Sequence, residues 1–236
     1  MDRKKFIRNG ILGIASLATA SKLLESCSKS DNDDAGSNSS TDGSCTVSPA
    51  ETKGPFPIKT PSQLVLENIK SDRIGVALLI NLTIENKNNN CAPLEGVLVD
   101  VWHCDKDGNY SEYGGTSMQQ TNYTTVHFLR GRQTTNVKGE VSFISIFPGW
   151  YQGRAPHVHV EVLTSSGSSL LVTQIAFPEN VSGEVYSSAN YAAHGQADTL
   201  NTKDNVFSDS LADELATLTG NITDGYTLSK TITVSA

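Results

Sequence analysis

Residues 148–162 read PGWYQGRAPHVHVEV. From His157 onward polar and apolar residues alternate. His157, His159 and Glu161 fall on one side of an extended chain, and Val158, Val160 and Val162 on the other. A period of two over a valine-rich run predicts a β-strand with one face in a core. The other face then carries two imidazoles side by side, close enough to share one metal ion. The chain has only five histidines, and two of them stand here. Pro148-Gly149 makes a rigid turn ahead of the strand, and Tyr151 and Arg154 lie between turn and histidines.

The same period recurs on both sides of this stretch. VALLINLTIE places Val76, Leu78, Ile80, Leu82 and Ile84 together, and GVLVDVWH sets Val97, Val99 and Val101 against Leu98, Asp100 and Trp102. EVSFISIF puts Val141, Phe143 and Phe147 opposite Ile144 and Ile146, while SLLVTQIAF and YTLSKTITV read as further strands. TTVHFLRG, residues 124–131, reads as a strand leading toward the histidine region. Asn, Gly, Asp and Ser clusters punctuate the runs. SDSLADELATLTG alone has helical spacing, through Leu211, Leu215 and Leu218, with Gly220 to stop it. The pattern predicts an all-β fold: an antiparallel β-sandwich with long loops and one short C-terminal helix over 45–236.

The 236 residues carry a net charge of -7, and the basic residues crowd the start. Beyond residue 27 there remain 13 Lys/Arg against 23 Asp/Glu. Such a surface repels nucleic acid and anionic membranes, so a small-molecule partner is expected. MDRKKFIRNG followed by ILGIASLATA has the basic and apolar regions of an export signal, too short to span a bilayer. Leu24-Glu25-Ser26-Cys27 resembles a bacterial lipobox, which makes Cys27 the expected lipidation site and residues 1–27 the leader. Cleavage after Ala18-Thr19-Ala20, giving a secreted protein, is the alternative. The lipobox is preferred because residues 28–44, SKSDNDDAGSNSSTDGS, are acidic, lack large apolar residues and suit a tether. The only membrane contact expected is that anchor, in the cell envelope, on a periplasmic or cell-surface face. Export favours disulfides. Cys91 and Cys104 flank one predicted strand and are too far apart to join, so Cys45 is expected to pair with one of them.

The chemistry narrows further with the phenols. Two histidines with Glu161 would suit zinc or Fe(II). A tyrosinate is a hard anionic donor that favours Fe(III), and a bound metal supplies the stabilisation that ionising a phenol near neutral pH requires. A second phenolate would balance the charge better, and Tyr110, in VWHCDKDGNYSEY just after an Asp-Gly turn, is the candidate.

With these residues in place, the segment from Cys45 to the C-terminus resembles the intradiol ring-cleavage dioxygenases, the class of protocatechuate 3,4-dioxygenase and catechol 1,2-dioxygenase. Three motifs occur in the family's order: ETKGPFP (Glu51–Pro57), VDVWHCDKDGNYS, and FLRGRQTTNVKGEVSFISIFPGWYQGRAPHVHV. The resemblance implies a non-haem Fe(III) centre held by Tyr110, Tyr151, His157 and His159. It implies cleavage of a catechol-type ring with O2, both oxygen atoms entering a muconate-type diacid. Arg154 would stabilise charge on the substrate, Tyr151 would take up a substrate proton, and Gly54 and Pro55 would line the pocket. Gln174 is a further candidate for that pocket. Two positions depart from the family pattern, Lys53 in place of Glu and Asn136 in place of Asp. Lys53 raises the expectation of a preference for anionic catechols. His103, His127 and His194 are expected to be structural or loop residues. The competing readings are an exported β-sandwich binding module with a vestigial or zinc-occupied site, and a tethered interaction protein.

Overall fold

The computed structural model describes residues 45–236. The expected leader, the linker and Cys27 lie outside the described residues. Among the described residues nine strands form two sheets: β1 (Ala77–Asn86), β2 (Ala92–Pro93), β3 (Leu98–Trp102), β4 (Arg130–Thr134), β5 (Glu140–Ile146), β6 (His157–Leu163), β7 (Ser169–Ala176), β8 (Thr217–Asn221) and β9 (Gly225–Val234). One sheet runs β4-β3-β6-β7 and is antiparallel throughout. In the other, β1 lies between β9 on one edge and β5, with the short β2, on the opposite edge, and β8 closes the far side of β9.

The core lies between the sheets. Leu78, Ile80, Leu82 and Ile84 of β1 belong to one buried cluster with Val99 and Val101 of β3 and Val158, Val160 and Val162 of β6. Burying each such side chain stabilises the fold by roughly 1.5–3 kcal/mol. The predicted periodicity therefore sets which face of β6 points inward. Yet β6 is buried on both faces along its whole length. The second face, with Asp100, Trp102, His157, His159 and Glu161, is covered by chain from outside the sandwich.

The β-sandwich expectation holds, with four differences in detail. β1 and β9 run parallel, so the larger sheet is mixed. The helix predicted over 208–220 is a single turn, α2 (Leu211–Glu214). Leu215 then bridges to Ala176, and β8 takes up Thr217 to Asn221, where β-branched Thr217 and Thr219 suit a strand. A longer helix, α1 (Glu179–Tyr186), forms where no element was predicted. Its Pro178 N-cap makes no side-chain capping bond, and Gly183 sits inside it, so the usual start signal is missing. Finally, β4 begins only at Arg130, and residues 124–129 form turns instead of the expected strand. Cys45 bonds to Cys91, with Cα atoms 5.9 Å apart, and Cys104 is buried and free.

Candidate active site

The outer face of β6 presents the two imidazoles edge to face, with their Nε2 atoms 3.1 Å apart. Both are essentially fully buried. His157 donates its Nδ1–H to the carbonyl of Ala155 at 2.6 Å, which leaves the lone pair on Nε2. Burial holds the His157 pKa down at about 3, with the Arg154 cation adding to the effect. His159 is held well below its ordinary value, again by burial first and then by His157 and Arg154. Both rings are thus neutral ligand-type imidazoles at physiological pH.

The two tyrosines arrive from separate loops. β3 ends at Trp102, and the chain turns at Asp105, whose Oδ1 accepts the backbone N–H of Asp107 and Asn109. The other oxygen of that carboxylate pairs with Arg73 at 3.4 Å. Gly108 (φ +81°) completes the turn against the carbonyl of Trp150, where any side chain would collide. The backbone N–H of Gly149 donates to Asp105 O at 3.0 Å, which locks the Tyr151 loop onto the Tyr110 loop. The Oη of Tyr110 lies 3.4 Å from His157 Nε2, and the Tyr110 and Tyr151 rings meet edge-on at 5.8 Å. Tyr151 also meets the His157 ring at 5.5 Å. Burial raises both phenol pKa values, that of Tyr110 well above the ordinary range. Arg154 opposes the rise at Tyr151.

Arg154 is the hinge of a polar network. Its Nη1–H donates to Tyr151 Oη at 3.3 Å and its Nη2–H to Gln174 Oε1 at 2.6 Å. Its Nε lies 2.8 Å from Oδ2 and 3.0 Å from Oδ1 of Asp204. Gln174 in turn donates to Thr52 O at 2.9 Å, tying the segment that leads to Gly54 to the same network. Gly54 has φ +66°, and a Cβ there would stand 3.0 Å from His159 Cε1. Gly54 thus approaches the histidine as only glycine can. Pro55 beside it is exposed, and it is Phe56 that packs on the Tyr110 ring at 4.7 Å.

Tyr110, Tyr151, Arg154, His157, His159 and Gly54 are therefore gathered around one point, and Gln174 joins them. Asp204 and Phe56 were not identified from the sequence. Asp204 stands 50 residues beyond Arg154 in a loop without regular pattern. The departures have local explanations. Lys53 gives its ammonium to Glu161 at 2.7 Å, so it is no free cation for an anionic substrate. Glu161 is likewise committed to Lys53. Asn136 accepts the N–H of Lys138 and Glu140, a role its amide oxygen fills as a carboxylate would. His103 bonds to Cys104 O and Ser145 Oγ inside the core, His127 to Glu112, and His194 to Trp150 O.

Among the described residues no three His, Cys, Asp or Glu side chains form a metal-binding group; the cluster consists of two imidazoles and two phenols. It suits a metal cation on two counts. The Nε2 lone pair of His157 faces the other imidazole nitrogen at 3.1 Å, an approach that a shared cation would make favourable. His159 Nδ1 is buried without a partner, which fits a ring oriented by coordination through Nε2.

Comparison with known proteins gives a family and a shared fold. Residues 54–207 match the family model described as "Dioxygenase". A chlorocatechol 1,2-dioxygenase of Rhodococcus opacus is 28% identical over 110 residues, which cover 39% of this chain and 40% of that protein. The match thus spans less than half of that curated relative. The structure of an intradiol ring-cleavage dioxygenase from Tetranychus urticae superposes with a TM-score of 0.72 at 28% identity, covering 81% of this chain and 95% of that one. The structure of 3-chlorocatechol 1,2-dioxygenase from Rhodococcus opacus shares the fold, with a TM-score of 0.55 at 20% identity over 80% of this chain and 73% of that one.

Proposed function

Since the chain belongs to the intradiol ring-cleavage dioxygenase family, we propose that it is an iron-dependent enzyme that opens the ring of a catechol-type substrate with O2. The product is a muconate-type diacid; a catechol and one O2 supply all its atoms. The observation that carries this reading is the convergence on His157 Nε2, which lies 3.1 Å from His159 Nε2 and 3.4 Å from Tyr110 Oη, with the Tyr151 ring closing the group.

In this reading Tyr110, Tyr151, His157 and His159 hold the metal. When bound there, ferric iron supplies Lewis acidity toward the two phenolic oxygens of the substrate and a template for its ring. The remaining work falls to the protein. Tyr151, as phenolate, is the group that accepts a substrate proton, and the N–H of Arg154 at 3.3 Å steadies its oxygen in either state. Arg154 also places a fixed positive charge beside the reacting ring, where negative charge builds up. Asp204 and Gln174 hold that guanidinium in position before substrate arrives. Phe56 and Trp102 wall the site with apolar surface and limit water. Gly54 leaves room against His159.

Export and lipid anchoring at Cys27 complete the proposal, placing the enzyme in the cell envelope. The activity is tested by oxygen uptake and product analysis with catechol and the iron-loaded protein. One O2 consumed per diacid formed supports it. Uptake without a ring-opened diacid, or no uptake by protein of full iron content, sinks it.

A further inference from the structure

A cavity of about 420 Å³ opens on the same outer face of the β4-β3-β6-β7 sheet. It shares two walls with the metal-binding cluster. Trp102, which lines it, stacks on His159 at 4.8 Å with the rings nearly parallel. Lys53, at its edge, directly precedes the Gly54 that abuts His159. Glu161, also in its lining, stands two residues from His159 on the same face of β6, roughly 7 Å along the strand.

The lining has a definite chemistry. Two cations and two anions face the cavity, and they neutralise one another in pairs: Lys53 with Glu161 at 2.7 Å, and Arg132 with Asp100 at 2.5 and 2.7 Å. A charged ligand would have to break one of these pairs. A hydroxyl group would not, since it both donates and accepts and can add to an ion pair without displacing it. Ile58 and Leu163 give an apolar side for a ring face. Trp102, 1% exposed and stacked on His159, closes the cavity on the side of the cluster. The volume suits one hydroxylated ring.

We propose that this cavity is an accessory subsite that takes the neutral, hydroxyl-bearing ring substituent of a catechol whose diol sits at the Tyr/His cluster. A 3,4-dihydroxyphenyl glycoside, with its sugar on a third ring oxygen and its diol free, has that chemistry. The inference rests on the dioxygenase reading and names the substrate class for it. It also replaces the expectation of anionic catechols, because the ammonium of Lys53 is already neutralised.

The test compares kcat/KM for catechol, 4-methylcatechol, 3,4-dihydroxybenzoate and 3,4-dihydroxyphenyl glucoside, with iron-loaded full-length protein. Wild type should favour the glucoside over catechol at least ten-fold, mainly through KM. Ser169→Trp, at the rim of the cavity, should bring that ratio close to one. If that variant fails to fold, Lys53→Gln/Glu161→Gln, which removes both charges of a pair together, should reduce the ratio in the same direction. Equal kcat/KM for glucoside and catechol in wild type, a preference for the carboxylate, or a glucoside preference that survives the variants would overturn the proposal. If wild type turns over none of the four, the dioxygenase reading fails. Calorimetric titration with phenyl glucoside, which has no diol to chelate a metal, then decides the subsite. Binding that is lost in Ser169→Trp upholds it, and no binding rejects it.

Discussion

Asp204→Ala should be among the most damaging single changes outside the main core. The carboxylate is fully buried and lies 2.8 Å from the Arg154 guanidinium, itself 9% exposed. It also accepts the N–H of Ala155 at 2.7 Å and of Val206 at 2.9 Å. Truncation leaves a buried cation without its counter-ion, a situation that costs about 3–5 kcal/mol. Set against total domain stabilities of about 5–15 kcal/mol, that is a large share. With a urea slope of about 2 kcal/mol/M, the unfolding midpoint should fall by roughly 1.5–2.5 M. The decisive comparison is a double-mutant cycle. Arg154→Met combined with Asp204→Ala removes both charges, so no unpaired charge is buried, and the double variant should be more stable than Asp204→Ala alone. Equilibrium urea unfolding followed by tryptophan fluorescence gives all the corners, and the coupling should be at least about 2 kcal/mol. If the two losses simply add, Arg154 and Asp204 are not an energetic unit, and the account of how Arg154 is held is wrong.

Gly54→Ala imposes a left-handed backbone on alanine at about 1–2 kcal/mol and presses a methyl group toward His159. Metal content after iron loading, measured beside the melting temperature, should fall by more than the modest stability loss explains. Unchanged iron content would mean that Gly54 does not set the position of His159. Burial raises the Glu214 carboxyl to about 7, opposed by its bond to Ser210 and assisted by nearby Glu51. A pKa raised on folding favours the protonated folded form. This contribution is fully present below about 4.5 and is lost as pH rises through about 7. Glu214→Gln should therefore flatten the fall in stability over that window, and a pH series of melting curves that matches wild type would count against it. The Cys45–Cys91 bridge closes a loop of 46 residues in separation, so Cys45→Ser/Cys91→Ser should lose about 4 kcal/mol. Reductant should lower the wild-type melting temperature and leave the variant unmoved.

The elements legible in the sequence are those whose physics is local. The alternation in β1, β3 and β6 places core and site faces directly, because side chains two apart on a strand point the same way. Tyr151, Arg154, His157 and His159 lie within nine residues, so one turn and one strand bring them together. The chain-distant contributions are harder to see. Asp204 reaches Arg154 from an irregular loop, and no periodicity marks it. The parallel pairing of β9 with β1 depends on which strands neighbour one another, which their own patterns do not encode. The leucine spacing over 211–218 suggests a helix, but pairing with β9 outweighs that local tendency after one turn. Lys53 reads as a free cation until its partner Glu161, 108 residues away in sequence, is placed beside it.

The measurement closest to the central claim is the visible absorption spectrum of the iron-loaded protein, taken without oxygen before and after catechol is added. Phenolates of Tyr110 and Tyr151 on ferric iron predict a red-brown protein with a broad charge-transfer band that moves when catechol binds. Tyr110→Phe and Tyr151→Phe should each weaken that band. A protein that holds one iron per chain and stays colourless would contradict tyrosinate ligation, and with it the proposed function.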